Sequence, residues 1–337
     1  MLYMLVLELS EDWQAGLALL DGPLGAKLAK SASYSNFCRS KRLELTSAAE
    51  DWAGVARLAG AELASQPDQW AAATQLIGAV RRLQEAGQGR EEVKEVETVA
   101  GVETLLARLQ RENPELRGPW LAGLELLQEL RPASCPALLT PALTSYFTQF
   151  SSKPVTYSDL ERYLSCEADW ARDWVREMAA QFTQPPASLA ELCRDINLVQ
   201  LGRLVGEQAG LGVEQLQQEV ERLVERYVSA QPLVQHMLPT DLRPSDTYLV
   251  LAAHLLWRLW RDTGRDTHFL HCGALLYRGL AACPSNWQLK LLLVRLMREA
   301  GAGAAAFTVH ASLDIKVVFN HSDGREGSQH FYQYPIY

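Results

Sequence analysis

Apolar residues return along this chain at the spacing of a helix, and before residue 317 nowhere convincingly at the alternation of a strand. Ala73, Leu76, Ile77, Val80 and Leu83 follow the i, i+3, i+4, i+7 pattern that lines one helix face. Leu249, Ala252, Ala253, Leu256, Trp257 and Trp260 do the same, while Val250, Leu251, Leu255 and Leu259 fill the opposite side. A helix apolar all round must be covered on more than one flank. The longest apolar candidate, Tyr248 to Trp257, is far short of the about 20 residues a membrane span requires and contains His254. Packed helices must therefore supply the cover, and the expected fold class is all-α.

Helix boundaries are legible in the same way. Ser158-Asp-Leu-Glu161 and Ser188-Leu-Ala-Glu191 read as capping boxes, in which a hydroxyl and a carboxylate each satisfy a free N–H at a helix start. Proline-bearing breaks are expected at Asp21 to Gly25, Pro132 to Pro141 and Pro239 to Pro244, because proline removes a donor and clashes with the preceding turn. The order of events also repeats. Leu7-Glu-Leu9 leads to Asp12-Trp13, and Leu43-Glu-Leu45 leads to Asp51-Trp52, with the two Asp-Trp pairs 39 residues apart. Pro67-Asp-Gln-Trp70 and Pro284-Ser-Asn-Trp287 each put proline after one helix and tryptophan at the start of the next. Pro114 and Trp120 stand six apart, the offset between the closing proline of one tetratricopeptide repeat and the tryptophan of the next. Counting back from Pro284 puts Cys272 and Gly279 on small-residue positions and Leu276 on a bulky one, whereas Glu62 and Leu109 occupy small positions in the other repeats.

The expected architecture is thus a right-handed α-solenoid of degenerate TPR-like helix pairs with an extended concave surface for a polypeptide. Repeats are expected over 1–130, a central helical region with Pro-rich breaks over 131–240, and further TPR-like helices over 241–316. The tail 317–337 lacks Leu and Ala, carries five aromatic residues and is expected to be poorly ordered. Val213, Leu216, Val220, Leu223 and Tyr227 are heptad-spaced, but for only two heptads, which favours a solenoid helix over a coiled coil.

Composition narrows the partners. An apolar share of 48% with 21% charged residues belongs to a chain with a core to bury. Forty acidic against 32 basic residues, a formal charge of −8, argue against a nucleic-acid backbone or an anionic membrane as the main partner. The one tight basic cluster, Arg39-Ser-Lys41-Arg42, reads as a solvated helix end. The first residues are apolar without a basic leader and are followed at once by Glu8, Glu11 and Asp12, so they do not read as a signal peptide. Six scattered cysteines suit reduced, mostly buried thiols. The expected location is cytoplasmic.

Catalytic and metal motifs are mostly missing from the sequence. His268, His271, Cys272 and Cys283 offer zinc-ligand types within 16 residues. On one helix Cys283 would lie roughly 16 Å beyond Cys272, too far for a shared ion, and packed or solvated side chains are the expectation. Arg298-Glu-Ala-Gly301-Ala-Gly303 matches the pyrophosphate cradle of acetyltransferases that bind coenzyme A. That cradle needs a loop between a strand and a helix start. Here the glycines follow a helical stretch, so Gly301 reads as a helix stop. Walker A, His-Glu-x-x-His and Gly-x-Ser-x-Gly patterns are missing. Dispersed groups that converge in space keep an enzyme in play.

Several strings taken in order resemble a known family: Arg117-Gly-Pro-Trp-Leu-Ala122, Tyr146-Phe147 with Phe150, Lys153-Pro154 and Asp159-Leu160, then Leu251-Ala-Ala-His-Leu-Leu256, and Pro284-Ser-Asn286 ahead of Leu291-Leu-Leu293. From about Leu2 to Lys316 the chain resembles the large, non-catalytic subunit of the N-terminal acetyltransferase B complex, NatB. Members are much longer, so the likeness is to an internal part. The resemblance implies a TPR-like superhelix that wraps a small catalytic subunit, helps shape its peptide site and tethers the complex to the ribosome. The complex acetylates the initiator Met of proteins beginning Met-Asp, Met-Glu, Met-Asn or Met-Gln. Acetyl-coenzyme A would be the partner's cofactor, and this chain would hold no cofactor, no metal and no catalytic residue. Trp120, Tyr146, Phe150 and Lys153 are the expected partner contacts, since aromatic anchors dominate interface energy; for each of the aromatics an intramolecular core role competes. A general TPR peptide adaptor, an enzyme using Arg298 to Gly303, and a shortened variant without NatB activity are the rival readings.

Overall fold

The computed structural model describes residue 7 and residues 9–31, 34–87, 95–131, 135–164, 168–238 and 240–313. The tail 317–337, Cys166 and Pro239 lie outside them, as does the side chain of Cys135. The described residues form sixteen α-helices and two short 3₁₀ turns, with no strand among them. The chain is an all-α solenoid in which helices pack on their neighbours in sequence. No helix among the described residues is long and apolar enough to cross a membrane.

Contacts divide the chain into two compact units, residues 1–212 with 232–234, and residues 213–231 with 235–337. The first opens with α1 (Trp13–Asp21), α2 (Pro23–Ala29), α3 (Ser35–Ala48), α4 (Trp52–Ser65) and α5 (Trp70–Glu85). It continues through α6 (Val99–Glu112), α7 (Gly118–Leu130), α8 (Cys135–Phe150) and the short α9 (Thr156–Leu160), to α10 (Asp169–Ala180) and α11 (Leu189–Leu204).

The repeated Asp-Trp pairs have a concrete meaning. Asp12 and Asp51 are N-caps whose carboxylates accept from Ala15 N–H and Gly54 N–H at 3.1 and 2.9 Å, and Trp13 and Trp52 are the first helical residues. The residues just before them, Glu11 and Glu50, are the two non-glycine residues with positive φ among those described, at 56° and 55°. Sequence repeat and backbone repeat therefore coincide.

Stacking is visible in how single helices serve two cores. Helix α3 sends Leu45 into a small cluster with Leu20 and Cys38, and Leu43 into the large cluster built around α4, α5 and α6. Helix α7 likewise places Ala122 and Leu126 in that large cluster and Leu124 in the next, with Leu143, Phe147, Trp174 and Leu201. Each fully buried Leu or Phe contributes about 1.5–3 kcal/mol of apolar transfer, so a helix with two apolar faces is stable only between two neighbours.

Three local expectations are corrected. The basic cluster lies in the middle of α3, not at a helix end; Arg42 is paired with Asp21 at 2.5 Å, Lys41 with Glu44 at 2.5 Å, and Arg39 bonds Asn36. Pro141 does not break the chain but sits inside α8. The about 3 kcal/mol cost of an interior proline is offset there by burial of Leu139, Leu143, Tyr146, Phe147 and Phe150. Ser158 caps nothing: α9 starts at Thr156, and the Ser158 hydroxyl donates to Val155 O at 2.9 Å. The second box forms, with Ser188 Oγ accepting from Glu191 N–H at 3.2 Å and Glu191 Oε2 accepting from Ala187 N–H at 2.7 Å.

The second unit holds most of α12 (Val213–Val234), then α13 (Asp246–Thr263), α14 (Asp266–Ala282), α15 (Trp287–Glu299) and α16 (Gly303–Ala311). Of the heptad-spaced residues in α12, Leu216, Val220, Leu223 and Tyr227 are buried and Val213 is exposed. Helix α13, apolar all round in sequence, is covered by both α14 and α15. Gly279 allows the close approach: a Cβ there would lie 2.7 Å from a methyl of Leu289 and 2.9 Å from one of Leu249. Cys272 and Leu276 are buried beside it on α14. Gly301 (φ +72°) stops α15, with Gly301 N–H donating to Arg298 O and Ala302 N–H to Met297 O, at 3.0 and 2.9 Å. That is the double bond pattern of a glycine helix stop, and the string from Arg298 to Gly303 is used by it.

Candidate partner-binding site

Strings far apart in sequence meet in the first unit around Asp159. Helix α7 begins at Gly118 because the chain turns against the loop before α5. Gly118 N–H donates to Asp68 Oδ1 at 2.7 Å, and a Cβ on Gly118 would fall 2.6 Å from that oxygen and 2.8 Å from Asp68 Cα. This close approach ties Pro67-Asp68 to Arg117-Gly-Pro-Trp120 and aims Arg117 at α9. Asp159 Oδ2 accepts from both Arg117 Nη1 and the Tyr146 hydroxyl. Burial, and then the bond to Asp159, push the Tyr146 phenol well above its ordinary value, so it remains a proton donor at neutral pH.

A second bridge repeats the chemistry. Glu125 of α7, nearly buried, accepts from Arg162 Nη2 at 2.8 Å and from the Tyr163 hydroxyl at 3.0 Å. Burial and then Glu125 raise the Tyr163 phenol too. Each carboxylate is held by a tyrosine from inside and an arginine from the rim, the pairing a nearly buried charge needs. Arg162 also lies over the Tyr163 and Trp70 rings, 5.4 and 6.0 Å from their centroids.

Between α8 and α9 runs a tight loop, residues 151–155, fastened from below. Asn197 of α11, 1% exposed, donates through Nδ2 to Ser151 O and Lys153 O, both at 2.9 Å. Its Oδ1 accepts from Tyr157 N–H at 3.2 Å. Thr156 Oγ1 adds a bond to Phe150 O at 2.6 Å, and Arg194 Nε one to Ser151 Oγ at 3.1 Å. Lys153, Pro154 and Val155 are left exposed on a loop whose Ser151, Lys153 and Val155 carbonyls are already bonded.

Of the expected contacts, Trp120, Tyr146 and Phe150 come together: the Phe150 ring is 4.9 Å from Tyr146 and 6.1 Å, edge-on, from Trp120. Tyr146 and Phe150 are 0% and 2% exposed, so in this chain they form the floor and offer no surface. Trp120 is half-buried, with Nε1 sheltered and unpartnered among the described residues. Lys153 is exposed on the adjoining loop, its N–H bonded to Phe150 O at 2.8 Å. Sequence reasoning missed Asn197, Glu125 and Arg162. Asn197 carried a signal: with Cys193 and Leu201 it occupies i, i+4, i+8 of a buried stripe, where a polar residue must find internal partners.

The zinc-type residues do not converge. His271 is exposed and His268 buried, and no metal-holding cluster occurs among the described residues. Cys272 Sγ donates to Ala253 O at 3.6 Å, its thiol pushed up to about 12 by burial, and Cys283 Sγ donates to Asp241 O at 3.4 Å. These thiols are packed groups.

Stacked helices with buried charges held by internal partners, and a fastened loop presenting a few side chains, define a helical-repeat scaffold. Residues 70–322 match a family model described as the N-acetyltransferase B complex (NatB) non catalytic subunit, and the chain belongs to that family. It is 29% identical over 342 residues to human N-alpha-acetyltransferase 25, NatB auxiliary subunit, covering 94% of this chain and 35% of that protein. The "Phagocyte signaling-impaired protein" of Aedes aegypti is 28% identical over 329 residues, with 94% and 34% covered. An Arabidopsis thaliana NatB complex auxiliary subunit is 26% identical over 223 residues, covering 65% of this chain and 21% of the relative. The chain spans about a third of the length of the animal relatives it matches.

Proposed function

We propose that this chain acts in the cytoplasm as an auxiliary scaffold of NatB, binding the small catalytic subunit so that proteins beginning Met-Asp, Met-Glu, Met-Asn or Met-Gln are acetylated. The carrying observation is that the family-like strings around Arg117, Tyr146, Lys153 and Asp159 converge on one fastened loop. That loop offers Lys153 and Val155 to a partner, and Trp120 borders its aromatic floor. Acetyl-coenzyme A is bound by the partner in this reading, and the ribosome is a further docking body for the assembled complex. Co-expression with the small catalytic subunit, followed by size-exclusion chromatography, tests it. One peak containing both chains is expected, weakened by Lys153→Glu combined with Val155→Asp. Separate elution of the unmodified chain would sink the reading.

A further inference from the structure

A second surface, in the other unit, has chemistry of its own. The last turns of α13 carry Trp257 and Trp260, whose rings stand edge-on 5.7 Å apart. Phe269 of α14 extends the aromatic wall, 4.9 Å from Trp260, and Arg295 of α15 lies over the Trp257 ring at 4.9 Å. The cleft beside them encloses about 550 Å³ and is lined by Trp257, Trp260, Arg261, Gly264 and Glu299. Arg261 and Glu299 are exposed, and neither makes an ion pair among the described residues. Trp257 Nε1 is sheltered from water and has no hydrogen-bond partner among them.

Charge decides the occupant. The chain as a whole is acidic, at −8. At this cleft the balance reverses: Arg261 in the lining and Arg295 over the Trp257 ring stand against Glu299, and in the adjoining sequence Arg258, Arg265 and Arg298 outnumber Asp262 and Asp266. Arg258 and Asp262 neutralise each other at 3.3 Å, which leaves the surplus to the arginines lining and flanking the aromatic wall. Indole faces accept apolar side chains, while a free guanidinium fork accepts a carboxylate through paired N–H bonds. From this charge complementarity we infer that the cleft is a docking site for an acidic peptide segment in which Asp or Glu alternates with large apolar residues. The inference is independent of NatB membership.

The test uses the full chain and three probes: acetyl-Glu-Phe-Glu-Leu-Glu-amide, the same peptide with Lys for each Glu, and oligothymidylate. Calorimetry reads affinity, and the indole N–H resonance of Trp257 reads location. The acidic peptide is expected to bind saturably, to shift that resonance, and to weaken at 0.5 M salt. Loss of one charge-assisted contact predicts about a tenfold or greater weakening with Arg261→Glu. Because Arg261 is exposed, both Arg261→Glu and the milder Arg261→Gln keep the fold, checked by unchanged helical circular dichroism. No saturable binding, equal or tighter binding of the lysine peptide or of oligothymidylate, or indifference to both Arg261 variants would overturn the assignment.

Discussion

Asn197→Ala should loosen the loop between α8 and α9 more than any exposed substitution near it. The change removes a partner from three backbone groups at once: Ser151 O, Lys153 O, which keeps the Thr156 N–H, and Tyr157 N–H. A buried group left unpaired costs about 1–3 kcal/mol, while one that reaches water recovers most of that. Ser151 is buried, whereas Lys153 is exposed and Tyr157 half-exposed, so only the first loses its partner outright. The expected total is about 2–4 kcal/mol in the local opening free energy, which speeds amide exchange over residues 151–160 roughly 30- to 1000-fold. Hydrogen exchange read by mass spectrometry measures this directly, with peptides from α4 and α5 as internal controls. Asn197→Asp separates polar bonding from packing. It keeps the acceptor for Tyr157 but sets a carboxylate against two carbonyl oxygens, so it should be at least as damaging as alanine despite its near-identical shape. If Asn197→Ala changes exchange less than threefold, or if Asn197→Asp behaves as wild type, the loop is held by something other than this amide.

Four further outcomes follow from the same geometry. Gly118→Ala drives a Cβ into the backbone of Asp68 and should cost about 1–3 kcal/mol in urea unfolding monitored by circular dichroism. Glu50→Gly should stabilise: it relieves a left-handed penalty of about 1–2 kcal/mol and restores roughly 0.5–1 kcal/mol of chain entropy cost, a net gain visible as a higher melting temperature. Asp246 is buried, its carboxyl raised by burial against the opposing bonds from Asn286 and Cys283 and the charge of Arg243. A raised folded value means that ionising Asp246 costs stability as pH climbs from its unfolded value past its folded one. Asp246→Asn should therefore gain stability at pH 7 and none at pH 3, which urea titrations at the two pH values check. Cys272, with its thiol near 12, should resist a thiol-specific reagent at pH 8 in the folded chain and react on unfolding.

How much of this was legible in the sequence depends on what each residue answers to. Helix identity and the cap at Ser188 were readable, and the repeated Asp-Trp pairs and Pro284-Ser-Asn-Trp287 marked helix starts, because periodicity and capping are local. The doubled cores were partly readable: Leu43 and Leu45 face opposite ways on α3, and only a stacked array can bury both. Pro141 misled because proline is a local signal, and its penalty is outweighed by aromatic burial contributed from α10 and α11. Ser158 misled for the opposite reason. A short helix that starts two residues earlier takes its first bond from Lys153 O, so the Ser-x-x-Glu spelling was never at a helix start. The convergence of Arg117, Tyr146 and Asp159 bridges up to 42 residues, and no spacing rule reaches that far. The strings were recognisable one by one; that they touch was not.

The same bridges explain why buried acids here do not amount to chemistry. A general acid or base needs a proton-exchanging atom left free for a substrate. Asp159 and Glu125 each take a tyrosine hydroxyl and an arginine N–H. Both tyrosines are raised in pKa, so they stay neutral donors to the two carboxylates. Removing one hydroxyl would release a charge into the core, not expose a catalyst. Tyr146→Phe should therefore destabilise the first unit by roughly 1.5–3 kcal/mol, the range for a hydrogen bond to a charged group. Asp159→Asn should cost less, since it removes the charge together with the need to compensate it. If Tyr146→Phe proved neutral in urea unfolding, Asp159 would have to be solvated in the folded chain, and the case for these bridges as the clamps of the scaffold would fail.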